Sequence, residues 1–139
     1  MKNVLVTGGC GFIGSNFVHY LINNSSYNVV NYDLLTYAGN LDNVKSLAGN
    51  KRHAFVKGDI NDFKKVDETI KKYDVDSIIH FAAESHVDNS IEAPTVFVKT
   101  NVLGTQTLLE AARLHDLRFH HISTDEVFGH LEKNDPAFN

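Results

Sequence analysis

One cysteine in 139 residues, Cys10, leaves no partner for an internal disulfide and agrees with a reducing compartment. Apolar runs extend only a few residues, far short of the roughly 20 needed to span a bilayer. Met1-Lys2-Asn3 leads directly into an apolar strand rather than a signal peptide. The expected location is therefore the cytoplasm, with no membrane partner. Basic charge is also scarce: 13 Lys and Arg stand against 17 Asp and Glu, the net charge is -4, and the basic residues are scattered. That gives no field for a phosphodiester backbone, so nucleic acid is not an expected partner. The eight histidines show no paired spacing with cysteine or carboxylates that argues for zinc, and no metal is expected. Internal repeats and low-complexity tracts are lacking too. What is present, 42% hydrophobic and 22% charged residues, is the composition of one soluble globular domain, small for a two-domain enzyme.

The informative stretch is at the amino terminus. Val4-Leu5-Val6-Thr7 runs into Gly8-Gly9-Cys10-Gly11-Phe12-Ile13-Gly14, and residues 12–23 then carry Phe17, Val18, Leu21 and Ile22 at helical spacing. This reads as strand, tight turn and helix, an arrangement suited to a diphosphate. Gly8 and Gly11 are expected to take positive φ and bring backbone N–H groups to a pyrophosphate, and Gly14 to let the helix pack closely. The phosphates would meet the positive end of the helix dipole. Glycine-rich turns also occur where a helix merely crosses a strand, and the downstream sequence separates the two readings. Tyr27-Asn28-Val29-Val30-Asn31-Tyr32-Asp33 is a second strand ending in an acid nineteen residues beyond Gly14, where dinucleotide folds hydrogen-bond the adenosine ribose. Asp33 also repels a ribose 2′-phosphate, and no Arg follows it before Arg52, so the expected cofactor is NAD rather than NADP.

Further strands are expected at residues 54–57, 77–81 and 119–123, helices at 62–73 and 94–115, and a short helix at 41–47. Residues 82–93 read as a loop, and the polar tail, residues 131–139, predicts no element. Strands alternating with helices give an α/β fold: a Rossmann-type doubly wound parallel sheet, incomplete, of about five strands in the order 3-2-1-4-5. Residues 1–139 form a single NAD-binding domain on this reading. The unusual loops, residues 7–14, 33–40, 58–60, 81–93 and 123–129, fall at the carboxyl edge of the sheet, where such folds bind ligands. The long helix has Val98, Val102, Thr105, Leu109 and Ala112 on one side and Phe97, Asn101, Gly104 and Leu108 on the other. Two usable faces suggest contact with the sheet and with a second partner.

Thr7 to Ser15, with Asp33, Leu35-Thr36-Tyr37-Ala38-Gly39-Asn40-Leu41, Ala82-Ala83-Glu84-Ser85-His86-Val87-Asp88 and Ser123-Thr124-Asp125-Glu126-Val127, resembles the extended short-chain dehydrogenase/reductases. Within them it is most similar to the branch of dTDP-glucose 4,6-dehydratases. The resemblance implies a redox cycle on a nucleotide-sugar substrate in which NAD⁺ takes hydride from C4, water leaves across C5 and C6, and hydride returns to C6. It implies that Glu126 is the base, Asp125 the acid and Thr124 a hydroxyl donor to the sugar. A 4-keto group acidifies the C5 proton, and the two neighbouring acids need opposite protonation states, which burial and mutual repulsion can supply. For the cofactor the resemblance implies Phe12 and Ile13 at the diphosphate, Asp33, Leu34, Leu35 and Thr36 at the adenosine, and Asp59 and Ile60 at the adenine. Phe81, Ala82, Ala83 and Ser85 lie along the dinucleotide, with Ser85 also near substrate and Thr100 near the nicotinamide half. It also implies a homodimer of the full-length protein through the helix at 94–115.

Other readings stay open for several of these positions. An isolated Asp125-Glu126 pair suits a solvated turn, Phe81 suits the core, and Thr100 suits an ordinary helical position. His86 reads as a hydrogen-bonded structural histidine, and Cys10 fills a small-residue place in the turn. Phe128 stands where the family usually has Tyr. The Tyr-x-x-x-Lys pair on which the superfamily relies for hydride transfer does not occur, since the last of five tyrosines is Tyr73. The carboxyl-terminal sugar-nucleotide domain is likewise missing, and the residues read as the amino-terminal part of a longer enzyme. A nucleotide-sugar epimerase, a UDP-sugar 4,6-dehydratase and a non-catalytic NAD-binding module are the alternatives.

Overall fold

The structure is a computed structural model and describes residues 2–129, 131–133 and 135–137. Of the tail at 131–139, residues 134, 138 and 139 lie outside the described residues. Five parallel strands form one sheet: β1 (Asn3–Thr7), β2 (Asn28–Asp33), β3 (His53–Lys57), β4 (Ser77–His80) and β5 (Arg118–His121). Their order is β3-β2-β1-β4-β5, as expected, with Val6 of β1 between Asn31 of β2 and Ile79 of β4.

Strand alternation assigns residues to two cores. Leu5, Val30, Tyr32 and Ile78 point to one face, where they meet Val66 and Ile70 of α2 (Phe63–Tyr73) and residues of the fifth helix. Val4, Val6 and Val29 point to the other, against Val18, Leu21 and Ile22 of α1 (Phe12–Asn24) and against Val44 and Leu47 of a 3₁₀ segment, Leu41–Leu47. The sheet is thus covered on both sides, and burial of each large aliphatic side chain contributes about 1.5–3 kcal/mol.

Two expectations are corrected downstream of β4. The stretch 82–93 is not all loop: Val87–Glu92 forms a short helix, α3. The helix at 94–115 is not uniform. It comprises α4 (Pro94–Phe97), a π-helical segment (Val98–Gly104) and α5 (Thr105–Leu114). A π segment makes i→i+5 bonds, which rotate the following turns relative to an unbroken α-helix. The inward face therefore carries Gly104, Leu108, Ala111 and Ala112, whereas Val98, Val102 and Leu109 are exposed. Among the described residues no helix is long and apolar enough to cross a membrane.

Candidate active site

A cleft of about 300 Å³ opens at the carboxyl edge of the sheet, within the size range of small-ligand pockets. Its walls come from the exits of β1, β2, β3 and β4 and from the helical segment after α3. Gly8, Gly11, Asp33, Leu34, Thr36, Asp59, Ile60, Phe81, Ala82, Ala83 and Thr100 all line it.

The first wall is the turn after β1. Gly8 has φ of 68°, and a Cβ there would come within 2.7 Å of the Ala82 nitrogen, so both backbone and space demand glycine. A Cβ on Gly14 would collide with the Gly8 carbonyl oxygen, which lets α1 start directly against the turn. Gly11 departs from expectation. Its φ of -74° and ψ of 175° are extended backbone, because the chain reverses at Gly8 and Gly11 serves as the cap residue of α1.

The end of α1 is electrostatically open. Among the described residues it has no side-chain cap and no acid in its first turn. The first N–H groups of a helix have no acceptor within it, so those of Phe12, Ile13 and Gly14 face outward with the positive end of the dipole. The side chains of Phe12 and Ile13 are exposed and lie outside the cleft wall, leaving their amides as the groups that could meet a phosphate. By contrast, Asp62 caps α2 by accepting from the Lys65 N–H at 3.1 Å, and Lys71 and Lys72 occupy its last turn. An anion at α1 would supply what α2 has built in.

Asp33 ties the second wall to the first. It is 8% exposed; its Oδ2 accepts from the Cys10 N–H at 2.9 Å and its Oδ1 from the Leu35 N–H at 2.8 Å. Each carboxylate oxygen keeps a further lone pair for a ligand hydroxyl. Leu35 has φ of 59°, a left-handed conformation costing a side chain about 1–2 kcal/mol, and the Asp33 bond holds it there. Its side chain packs on the α1-side core and does not line the cleft. Burial, then the Asp33 carboxylate, pushes the Cys10 thiol up to about 11, so it is no nucleophile.

Phe81 lines the cleft, and its ring lies 5.2 Å from that of Phe17, both packed against the α1-side core. Sequence reasoning missed Tyr32, Val96 and Lys99, which also line the cleft, as does Glu84 of the stretch 81–85. Tyr32 is hidden because it is a core residue whose hydroxyl reaches over to donate to the Asp59 carbonyl at 3.0 Å. Val96 and Lys99 enter the wall from α4 and the π segment, inside a stretch that reads in sequence as one continuous helix.

Ser85 and His86 are exposed and do not line the cleft; His86 precedes α3, whose Ser90 N–H donates to its carbonyl. Beyond β5 the Ile122 N–H still bonds the His80 carbonyl at 3.1 Å, and the chain then turns into a 3₁₀ segment, Asp125–Phe128. The Thr124 hydroxyl accepts from the Glu126 N–H at 3.0 Å and donates to Asp125 Oδ1 at 3.4 Å. Thr124, Asp125 and Glu126 therefore leave the sheet at the same edge as the cleft. All three are exposed, and none belongs to its described wall.

The sequence model of the GDP-mannose 4,6 dehydratase family matches residues 5–138. The dTDP-glucose 4,6-dehydratase of Haemophilus influenzae is 48% identical over 148 aligned positions, which cover 99% of this chain and 44% of the relative. Among solved structures, dTDP-glucose 4,6-dehydratase from Bacillus anthracis in complex with NAD superposes with a TM-score of 0.88 at 44% identity, covering 99% of this chain and 42% of that one. UDP-glucose 4-epimerase from Brucella ovis in complex with NAD gives 0.83 at 37% identity, covering 96% and 39%. The chain thus spans about two fifths of the length of the relatives it matches.

Proposed function

The chain belongs to the GDP-mannose 4,6 dehydratase family, and we propose that it forms the NAD-binding part of a nucleotide-sugar 4,6-dehydratase that converts dTDP-glucose to its 4-keto-6-deoxy product and water. One observation carries the reading: Asp125 and Glu126 leave β5 at the same sheet edge at which Gly8, Gly11 and Asp33 line the cleft.

The residues present suit the cofactor. The diphosphate would take the N–H groups of Phe12, Ile13 and Gly14 above the Gly8 and Gly11 turn, and Asp33 the adenosine ribose. Leu34 and Thr36 would flank the adenosine, with Leu35 anchoring that loop in the core, and Asp59 and Ile60 the adenine. Phe81, Ala82, Ala83, Ser85 and Thr100 would follow the dinucleotide toward its nicotinamide. NAD bound there supplies the hydride acceptor and donor. Glu126 would accept the C5 proton at its carboxylate, Asp125 would deliver a proton to the departing 6-hydroxyl, and Thr124 with Ser85 would hold the sugar.

The exposed Val98, Val102 and Leu109 support a homodimer of the full-length protein through this helical face, and the cytoplasm is the proposed compartment. A monomer in sedimentation would remove the dimer. The epimerase likeness keeps a second reading in view, since an epimerase needs no acid–base pair for elimination. Incubating the product of the complete reading frame with dTDP-glucose tests both: the 4-keto-6-deoxy sugar is expected, and a C4 epimer with C6 unchanged would sink the dehydratase.

A further inference from the structure

His80, the last residue of β4, is 1% exposed and belongs to no proposed catalytic or ligand-binding set. Its Nδ1 lies 2.7 Å from Thr7 Oγ1, at the end of β1, and its Nε2 lies 3.0 Å from Thr105 Oγ1, at the start of α5. Thr7 Oγ1 also accepts from the Ala82 N–H at 3.3 Å. Three cleft walls therefore converge on one imidazole: the turn that begins at Gly8, the strand exit at Phe81 and Ala82, and the helix that carries Lys99 and Thr100.

We propose that His80 is a positioning residue for the cofactor cleft, setting the spacing of these walls through one ordered chain of hydrogen bonds. Donors and acceptors decide the order. With the Ala82 N–H donating to Thr7, the Thr7 hydroxyl directs its own proton to an unprotonated His80 Nδ1, and Nε2–H donates to Thr105. A proton on Nδ1 would leave the Thr7 hydroxyl proton without an acceptor in a buried place, an arrangement that costs about 1–3 kcal/mol. Burial, reinforced by the His121 ring of β5 at 5.2 Å, keeps the imidazole neutral. Thr7 on β1 and Thr105 on α5, the partners from the other two elements, do not titrate. The spacing matters because the missing Gly8 Cβ would already press on the Ala82 nitrogen, so the turn and the β4 exit sit at a separation with no slack.

The inference rests on the NAD reading and is tested on the full chain. Thr7→Val keeps the shape and removes the hydroxyl; it should raise the NAD dissociation constant about tenfold, and Thr7→Ser should return it to within about threefold of the parent. Nitrogen-15 spectra of His80 should show Nε2 protonated and Nδ1 bare from pH 7 to pH 5. If Thr7→Val binds NAD as the parent does while only its melting temperature falls, the network serves the fold alone and the proposal is overturned. An Nδ1-protonated ring overturns it as well. A parent chain that binds no NAD at all would remove the cofactor reading and this inference together, which distinguishes that failure from the first two.

Discussion

The side-chain amide of Asn101 and the peptide of Glu84 exchange two hydrogen bonds, each 2.8 Å: the Glu84 N–H donates to Oδ1, and Nδ2 donates to the Glu84 carbonyl. A side chain within the π segment thus takes the place of a strand neighbour for the loop after β4. Asn101→Ala should free Glu84 and the cleft wall around it. The expected loss is about 1–2 kcal/mol, read as a fivefold or greater rise in the NAD dissociation constant and faster hydrogen exchange at the Glu84 amide. Asn101→Asp should be worse than alanine, because a carboxylate oxygen would then face the Glu84 carbonyl.

Gly8→Ala places a methyl at φ of 68° and against the Ala82 backbone. Left-handed strain and overpacking together should cost about 2–4 kcal/mol. Gly14→Ala meets the Gly8 carbonyl, a backbone atom that cannot swing aside. Both variants should melt well below the parent, and Gly8→Ala should also lose NAD binding. Gly49→Ala gives the control: its φ of 80° carries strain, but no atom lies within 4 Å of the added methyl. It should therefore lose some stability and leave binding intact.

Asp33 holds two backbone N–H groups with two oxygens, so Asp33→Asn must turn an NH₂ toward either Cys10 or Leu35. One buried donor then faces another, costing about 1–3 kcal/mol in thermal or urea unfolding. The charge that disfavours a 2′-phosphate is lost as well. The ratio of NAD to NADP affinity should fall, and an unchanged ratio in the folded variant would remove Asp33 from the ribose site.

The sheet was legible because its information is local: β-branched runs mark β1, β2 and β4, and glycines and an acid mark the first two exits. Asp33 emerges from sequence spacing alone, and the structure puts it in the cleft wall. The π segment was not legible. It contains no proline, and its one glycine, Gly104, faces Ile60 rather than breaking the helix. Its irregularity is imposed by tertiary partners, Asn101 on Glu84 and Thr105 on His80, which no helical periodicity encodes. Gly11 misled for a related reason. A glycine pattern shows where the backbone is free to reverse, and only the fold shows that, of the glycines between 8 and 14, Gly8 alone does so.

Burial, with His121 second, lowers the His80 imidazole from 6.5 to about 4. As pH falls below 6.5 the unfolded chain takes up a proton that the folded chain refuses until about pH 4. Stability from this group is fully present above pH 6.5 and is lost progressively down to pH 4, by about 3 kcal/mol in all. His53, lowered chiefly by burial, acts in the same sense. Urea unfolding across that window should show stability rising with pH, and His80→Gln should flatten the slope by about one proton.

Glu126→Gln separates elimination from simple epimerisation. If Glu126 removes the C5 proton, its loss should leave oxidation at C4 in place, visible as NADH absorbance when sugar nucleotide is added to the full-length enzyme. Release of the 4-keto-6-deoxy product should fall about 10²–10⁴-fold, the usual contribution of a positioned base. Asp125→Asn should slow loss of the 6-hydroxyl while exchange of the C5 proton with solvent continues, because the base still acts. The two variants thus fail at different bonds of one substrate. Full turnover by Glu126→Gln would instead make the exposed acidic pair a solvated turn and shift the assignment to the epimerase.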